Sequence, residues 1–268
     1  MKRQNFNVVT SILTVVTGVT LFSPVVQANP ESLEQSGTVT VEGSAITNPI
    51  DPENPGEVVD PGEGPSTEGA LRIDYVSVLD FGRAQLTDTN RTFPALAQQF
   101  LGETGPRGSF IQITDQRAVS TGWTLQVKQN HQFRNTVIQE TSEQELSGAV
   151  LSLDKGWANS SGNSGSPTVT RETIALNSIG TAYELATATA GNGRGVWTIA
   201  FGASETNSNN LDSTLSPAMD AVGNPVMDEF SGKQAYHNSA ISLTIPTATK
   251  IHPVQYATEL TWILAELP

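Results

Sequence analysis

The 268-residue chain has no cysteine, few aromatic residues (6%) and few cations, with 14 Lys and Arg against 27 Asp and Glu. Each shortage excludes something. Without cysteine there is no disulfide framework and no lipidated cysteine to serve as an anchor, so a packed core must hold the fold together. A formal charge of −13 and scattered Lys and Arg make nucleic acid and anionic membrane surfaces poor partners, because phosphate binding needs clustered cations. After Ala28 no apolar run approaches the roughly 20 residues of a spanning helix, so no membrane span is expected once a leader is removed. The C-terminal residues up to Pro268 carry no Leu-Pro-x-Thr-Gly sorting signal, hydrophobic tail or basic tail. The expectation is therefore a protein that either diffuses away or is retained noncovalently.

Residues 1–28 read as a secretory signal peptide. Lys2 and Arg3 precede a short apolar stretch from Val8 to Phe22, and Val26-Gln27-Ala28 supplies small residues for cleavage after Ala28. The competing reading, an uncleaved anchor helix, asks for a longer apolar run. Cleavage would remove two cations and take the formal charge from −13 to −15. Residues 29–70 hold nine carboxylates and no Lys or Arg, with Asn48-Pro49, Asp51-Pro52, Asn54-Pro55-Gly56, Asp60-Pro61-Gly62 and Gly64-Pro65 in succession. Few large apolar residues are available to offset the entropy of ordering, so this segment is expected to be a disordered acidic linker, stiffened locally by proline. A specific docking peptide is the functional alternative.

From about Ala70 the composition turns to Thr, Val, Ile, Leu, Ser and Gly, and period-two alternation recurs. It runs through Leu71, Ile73 and Tyr75; Ile111 and Ile113; Trp123, Leu125 and Val127; Leu151 and Leu153; Ile174 and Leu176; Trp197, Ile199 and Phe201; Ile241, Leu243 and Ile245; and Tyr256 to Leu264. This pattern predicts half-buried strands separated by Gly, Asn and Ser clusters at 159–166, 191–195 and 204–210. Phe93 to Leu101 is open between two helical turns and an edge segment. The expected fold is all-β: an elaborated antiparallel β-sandwich, Ig-like, of one large domain spanning 70–268, which a closing C-terminal strand completes.

Two Trp-x-Leu triplets stand out, Trp123-Thr124-Leu125 and Trp262-Ile263-Leu264. In a strand, residues two apart share a face, so Trp123 projects with Leu125, and Tyr256, Leu260, Trp262 and Leu264 share one parity. They either fill the core, as large aromatics usually do, or form a platform that stacks on sugar rings. Other constellations are weak. His131, His237 and His252 lack ligand-like spacing, so no metal is expected. Asp228-Glu229 and Glu143-x-Glu145 have no calcium-loop spacing. Ser147-Gly148 and Ser164-Gly165 lack a nucleophile elbow. Gly191-Asn192-Gly193 reads as a turn, with no helix behind it to cradle phosphate. A carboxylate pair for glycoside hydrolysis is a spatial property that spacing leaves open.

These segments together resemble the WxL domain of surface proteins of low-GC Gram-positive bacteria. The residues that carry the resemblance are Leu79-Asp80-Phe81-Gly82; Ile111 to Arg117 leading into Gly122 to Val127; Glu172 to Leu176; Gly195-Val196-Trp197; and Tyr256, Leu260-Thr261-Trp262, Leu264 and Pro268. Ala118-Val119-Ser120 stands where the family more often has a glycine. The resemblance covers residues 70–268. It implies noncovalent attachment to the cell surface through peptidoglycan or another wall polymer, and association with companion surface proteins, among them other WxL proteins. No catalytic residues and no cofactor are expected. Trp123, Leu125, Tyr256, Leu260, Trp262 and Leu264 make up the motif for attachment to wall or partner, with a structural role as the alternative. Strand geometry leads to the expectation that Trp123 and Trp262 are mainly structural, so that replacing either by alanine lowers stability as well as retention. Two functions follow for testing: a noncatalytic wall-bound subunit of a surface complex, or a secreted carbohydrate-active enzyme or host-directed adhesin that shares the β fold.

Overall fold

A computed structural model describes residues 46–83 and 91–268. The expected signal peptide and residues 29–45 of the expected linker lie outside the described residues. The fold is antiparallel β throughout, in three sheets. The first orders β1 (Leu71–Val76), β3 (Ser109–Asp115), β10 (Gly195–Phe201) and β6 (Gly156–Asn159). The second orders β11 (Leu215–Pro217), β12 (Tyr236–Thr244), β5 (Val150–Leu153) and β8 (Ile174–Leu176), with β2 (Thr92–Leu96) also on β12. The third orders β13 (Leu260–Glu266), β4 (Trp123–Gln129), β9 (Ala182–Ala188) and β7 (Thr168–Val169).

Alternation places one core among all three sheets. Ile111, Ile113, Ile199 and Phe201 enter it from the first sheet, Leu151, Leu153, Ile241 and Leu243 from the second, and Trp123, Leu125, Val127 and Leu185 from the third. Phe93 to Leu101 opens as strand β2, which settles the helix-or-edge ambiguity. Pro94 has no N–H to donate, and it sits opposite Ser242 where the register with β12 shifts.

The first sheet is buried on both faces, and this moves the expected domain boundary. On the far side Phe110, Ala200 and Trp157 lie in one cross-strand row. They form a second, smaller core with Val59, Tyr75 and Phe100. Residues 46–62, expected as linker, cover the same face. Gln112 is fully buried there: its Oε1 accepts from Ile50 N–H at 2.8 Å and its Nε2 donates to the Asn48 carbonyl at 3.1 Å.

The segment is ordered by polar groups more than by apolar area. Asp51 and Glu53 are buried beside Arg107, whose Nε and Nη2 donate to the two Asp51 carboxylate oxygens at 2.9 and 2.8 Å. Glu53 lies 3.3 Å from the same guanidinium and accepts from Ser204 N–H and Oγ at 2.7 and 2.6 Å. Asp51 loses water on burial, which opposes ionisation, but the Arg107 fork and the Glu53 N–H hold its carboxyl below the usual value of 3.8. Composition predicts disorder here because it counts apolar residues; a bidentate ion pair between positions 51 and 107 is invisible to it.

Candidate functional site

The two Trp-x-Leu triplets are hydrogen-bonded neighbours. Strands β4 and β13 run antiparallel with Leu264 opposite Leu125, Trp262 opposite Val127 and Glu266 opposite Trp123. The turn before β4 is locked to the C-terminus. Arg117 forks onto Asp115 at 2.9 and 2.8 Å and reaches Glu266 at 2.8 Å, while Leu267 N–H donates to the Gly122 carbonyl. Asp115, buried and opposed by desolvation, is held below the ordinary carboxylate value by Arg117 and Ser120. Gly122 has φ +100°, and a Cβ there would stand 2.3 Å from the Ala188 carbonyl oxygen, so this turn tolerates only glycine.

The two tryptophans have different surroundings. Trp123 is completely buried, and its indole N–H donates to the Gly193 carbonyl at 3.1 Å. Gly191-Asn192-Gly193, read as a turn, is the seat of that ring. A Cβ on Gly193 (φ +68°) would lie 2.6 Å from Trp123 Nε1 and 2.5 Å from the Ala188 Cβ. We expect Gly193→Ala to cost about 1–3 kcal/mol for overpacking in addition to about 1–2 kcal/mol for the left-handed backbone. Gly191→Ala, whose Cβ meets open space, should incur the backbone cost alone. Urea titration of both variants checks the difference.

Trp157 and Trp197 likewise donate, to the Gly202 and Arg194 carbonyls at 2.9 and 3.0 Å. Trp262 is the exception. It is half-buried, and among the described residues its N–H meets no acceptor. Its ring lines a cleft of about 1350 Å³, larger than the roughly 300–1,000 Å³ usual for small-molecule sites. Leu79 and Phe81 form one wall, Tyr256 and Leu260 another, and Phe133 packs edge-on against Phe81 with centroids 6.0 Å apart. Segments 79–82 and 256–262 are thus brought together from opposite ends of the domain. Of the six sequence-predicted site residues, Trp123 and Leu125 are buried in the core, and Leu264 packs half-buried against it, on the face it shares with Trp262. Tyr256, Leu260 and Trp262 face the cleft.

Phe133, Glu143 and His252 are cleft or rim residues that pattern reading did not single out as attachment residues; no spacing signal relates them. His252 Nε2 lies 2.7 Å from Glu143, and its N–H donates to the Tyr256 hydroxyl at 3.0 Å. Lys250 Nζ donates to both Glu143 oxygens at 2.8 and 2.9 Å. The Lys250 hydrogen bonds, then that of His252, hold the Glu143 carboxyl below its ordinary value. This latch fastens the strap 250–258 over the cleft, and a two-way backbone bridge between Arg134 and Ala257 fastens it again. Among the described residues no group of three or more His, Cys, Asp or Glu is placed to hold a metal.

The last strand, β13, packs against the core and forms the edge of its sheet. Leu267 N–H bonds to Gly122 and Asn130 N–H to Glu259, which with the register points the odd-numbered residues of β13 at β4. The backbone groups of Leu260, Trp262 and Leu264 therefore face the open edge, unpaired among the described residues.

The family model described as WxL domain surface cell wall-binding matches residues 28–268, essentially the whole chain. No curated protein and no solved structure matches.

Proposed function

The chain belongs to the WxL family of surface cell-wall-binding domains, and from that premise we propose that it is a noncatalytic protein held noncovalently on wall peptidoglycan through the Trp262 cleft. Its place is the cell surface, at the wall. The observation that carries the proposal is the difference between the tryptophans: three indoles are satisfied internally, and the fourth lines a cleft of mixed polar and apolar residues, with no acceptor for its N–H among the described residues. An aromatic face beside apolar walls suits the C–H face of a pyranose, and the free N–H suits a sugar hydroxyl or N-acetyl oxygen. A noncatalytic role is supported by the carboxylates at the rim. Asp80 accepts from Gly82 N–H at 2.8 Å and Glu143 is bound by Lys250 and His252, so both are engaged in holding loops.

Companion surface proteins complete the proposal, with the chain acting as one subunit of a complex. The unpaired outer edge of β13 supports this, since an open edge is a ready template for an added strand.

Sedimentation with isolated Gram-positive walls tests the reading. The full chain is expected to pellet with walls, Trp262→Ala to stay in the supernatant, and Trp262→Phe to bind weakly, having a ring but no N–H. Equal pelleting of Trp262→Ala and the parent would overturn the cleft assignment. Release of reducing ends from the walls would overturn the noncatalytic role.

A further inference from the structure

Between β11 and β12 the chain makes an excursion, residues 218–235, that belongs to none of the three sheets. It is a small ribbon. Met219 bridges Pro225 and Met227 bridges Gln234, so Pro225-Val226-Met227 runs between two flanking segments. Its turns are firmly built: Asp220 accepts from the N–H groups of Val222 and Asn224 at 2.9 and 2.8 Å, and Asp228 accepts from Ser231 N–H and Oγ at 2.7 and 2.6 Å. The backbone hydrogen bond from Asn224 leads the contacts that hold the Asp220 carboxyl below its ordinary value.

The ribbon nevertheless leaves its apolar side chains in water. Met219, Met227 and Phe230 are 50, 55 and 45% exposed, and Val222 at the tip is 82% exposed. Alternation puts Met219, Pro225 and Met227 on one face, and Gln234 Nε2 lies 3.9 Å from the Met219 sulfur on that side. These are the only methionines apart from Met1. Single exposed apolar residues need no explanation, but a contiguous group on a rigid ribbon marks an interaction surface, and unbranched thioethers adapt to an opposing shape.

The ribbon carries three carboxylates, Asp220, Asp228 and Glu229, against one cation, Lys233. Between Arg194 and Lys233 there are five acidic residues, Glu205, Asp212, Asp220, Asp228 and Glu229, and no Lys or Arg. Lys233 is occupied: its Nζ donates to the Phe100 and Thr104 carbonyls at 3.0 and 2.8 Å. An acidic rim disfavours anionic lipid and anionic wall polymer. It also disfavours a second copy, which would bring the same rim and a charge of −13. We infer that the Met219–Pro225–Met227 face is a docking surface for a partner protein that presents an apolar strip flanked by Lys and Arg. The inference rests on the reading that the chain works beside companion proteins, but it uses a surface separate from the Trp262 cleft.

The test uses two synthetic amphipathic peptides with identical leucine spacing, one with lysine and the other with glutamate at every polar position. Methyl resonances of 13C-labelled methionine are followed in the full chain, with Met219→Leu and Met227→Leu used for assignment. The lysine peptide is expected to shift both resonances saturably, and its Kd should rise about tenfold or more between low salt and 0.5 M salt, as screening removes the rim's contribution. The glutamate peptide should shift neither, and Pro225→Lys, at the centre of the face, should abolish the response while the thermal melt is retained. The inference is overturned if neither peptide, or both equally, shift the resonances. It is also overturned if the shifts depend on protein concentration without peptide, which would make a second copy the occupant, or if isolated walls alone produce them. Trp262→Ala should leave peptide binding unchanged. Wall retention lost with peptide binding intact counts against the cleft alone, and the converse counts against this surface alone.

Discussion

Trp123→Ala is expected to lower stability by about 3–5 kcal/mol, a large part of the roughly 5–15 kcal/mol that holds a domain folded. The ring is completely buried between β4 and the 191–193 turn. Its removal leaves a cavity and strands the Gly193 carbonyl that accepts its N–H. Urea unfolding gives the loss directly, and wall retention of this variant should track its folded fraction. Trp262→Ala should behave in the opposite way. That ring is half-buried at an edge strand, so the melt should move little while retention is lost. If the folded fraction of Trp123→Ala fails to retain, or if Trp262→Ala unfolds as readily as Trp123→Ala, the division of roles between the triplets is wrong.

Arg107→Ala should have an effect of similar size, about 3–5 kcal/mol, because it leaves Asp51 and Glu53 buried without their cation. Residues 46–62 should then become susceptible to protease while the three-sheet core persists. Arg107→Lys keeps the charge but not the fork onto two oxygens, and should recover part of the loss. The same group sets an acid limit. The Asp51 carboxyl is depressed below 3.8 in the folded state, so between the folded and unfolded values only the unfolded chain binds the proton. The stabilisation from Asp51 is therefore complete above that value and is lost as pH falls through the folded value. Asp115, also depressed, adds to the same loss. Thermal melts across pH 2.5–7 should show stability falling only at the acid end of the range. In Arg107→Ala, where burial is opposed only by the Glu53 N–H and Asn54, the acid-end loss contributed by Asp51 should shrink, because the folded carboxyl then takes up its proton more readily. A parent melt that is flat through the acid range would refute this assignment.

Most strands were legible in the sequence for a local reason. Period-two alternation with β-branched residues is written into consecutive positions, and β1, β3, β4, β5, β8, β10, β12 and β13 coincide with predicted runs. Among the strands that alternation did not show, β9 is seven residues long, but a register shift with β4 breaks its in-out pattern. β6 opens on Gly156, a position where a Cβ would stand 2.5 Å from the Thr170 carbonyl oxygen, and β7 is two residues long. Residues 46–62 were illegible because their order rests on Arg107, Gln112 and Ser204, remote positions that composition does not connect.

Family membership, antiparallel β architecture and the pairing of aromatic and leucine within each triplet were determined by the sequence alone, since each depends on residue type and spacing. Which tryptophan packs in the core and which lines the cleft was decided by the tertiary structure. Two Trp-x-Leu triplets acquire different surroundings because β4 lies between two strands, under Gly193, while β13 lies at the edge beside segments 79–82 and 250–258. Strand parity gives both tryptophans the same facing direction; only the packing of other segments determines whether that face meets a filled core or an open cleft.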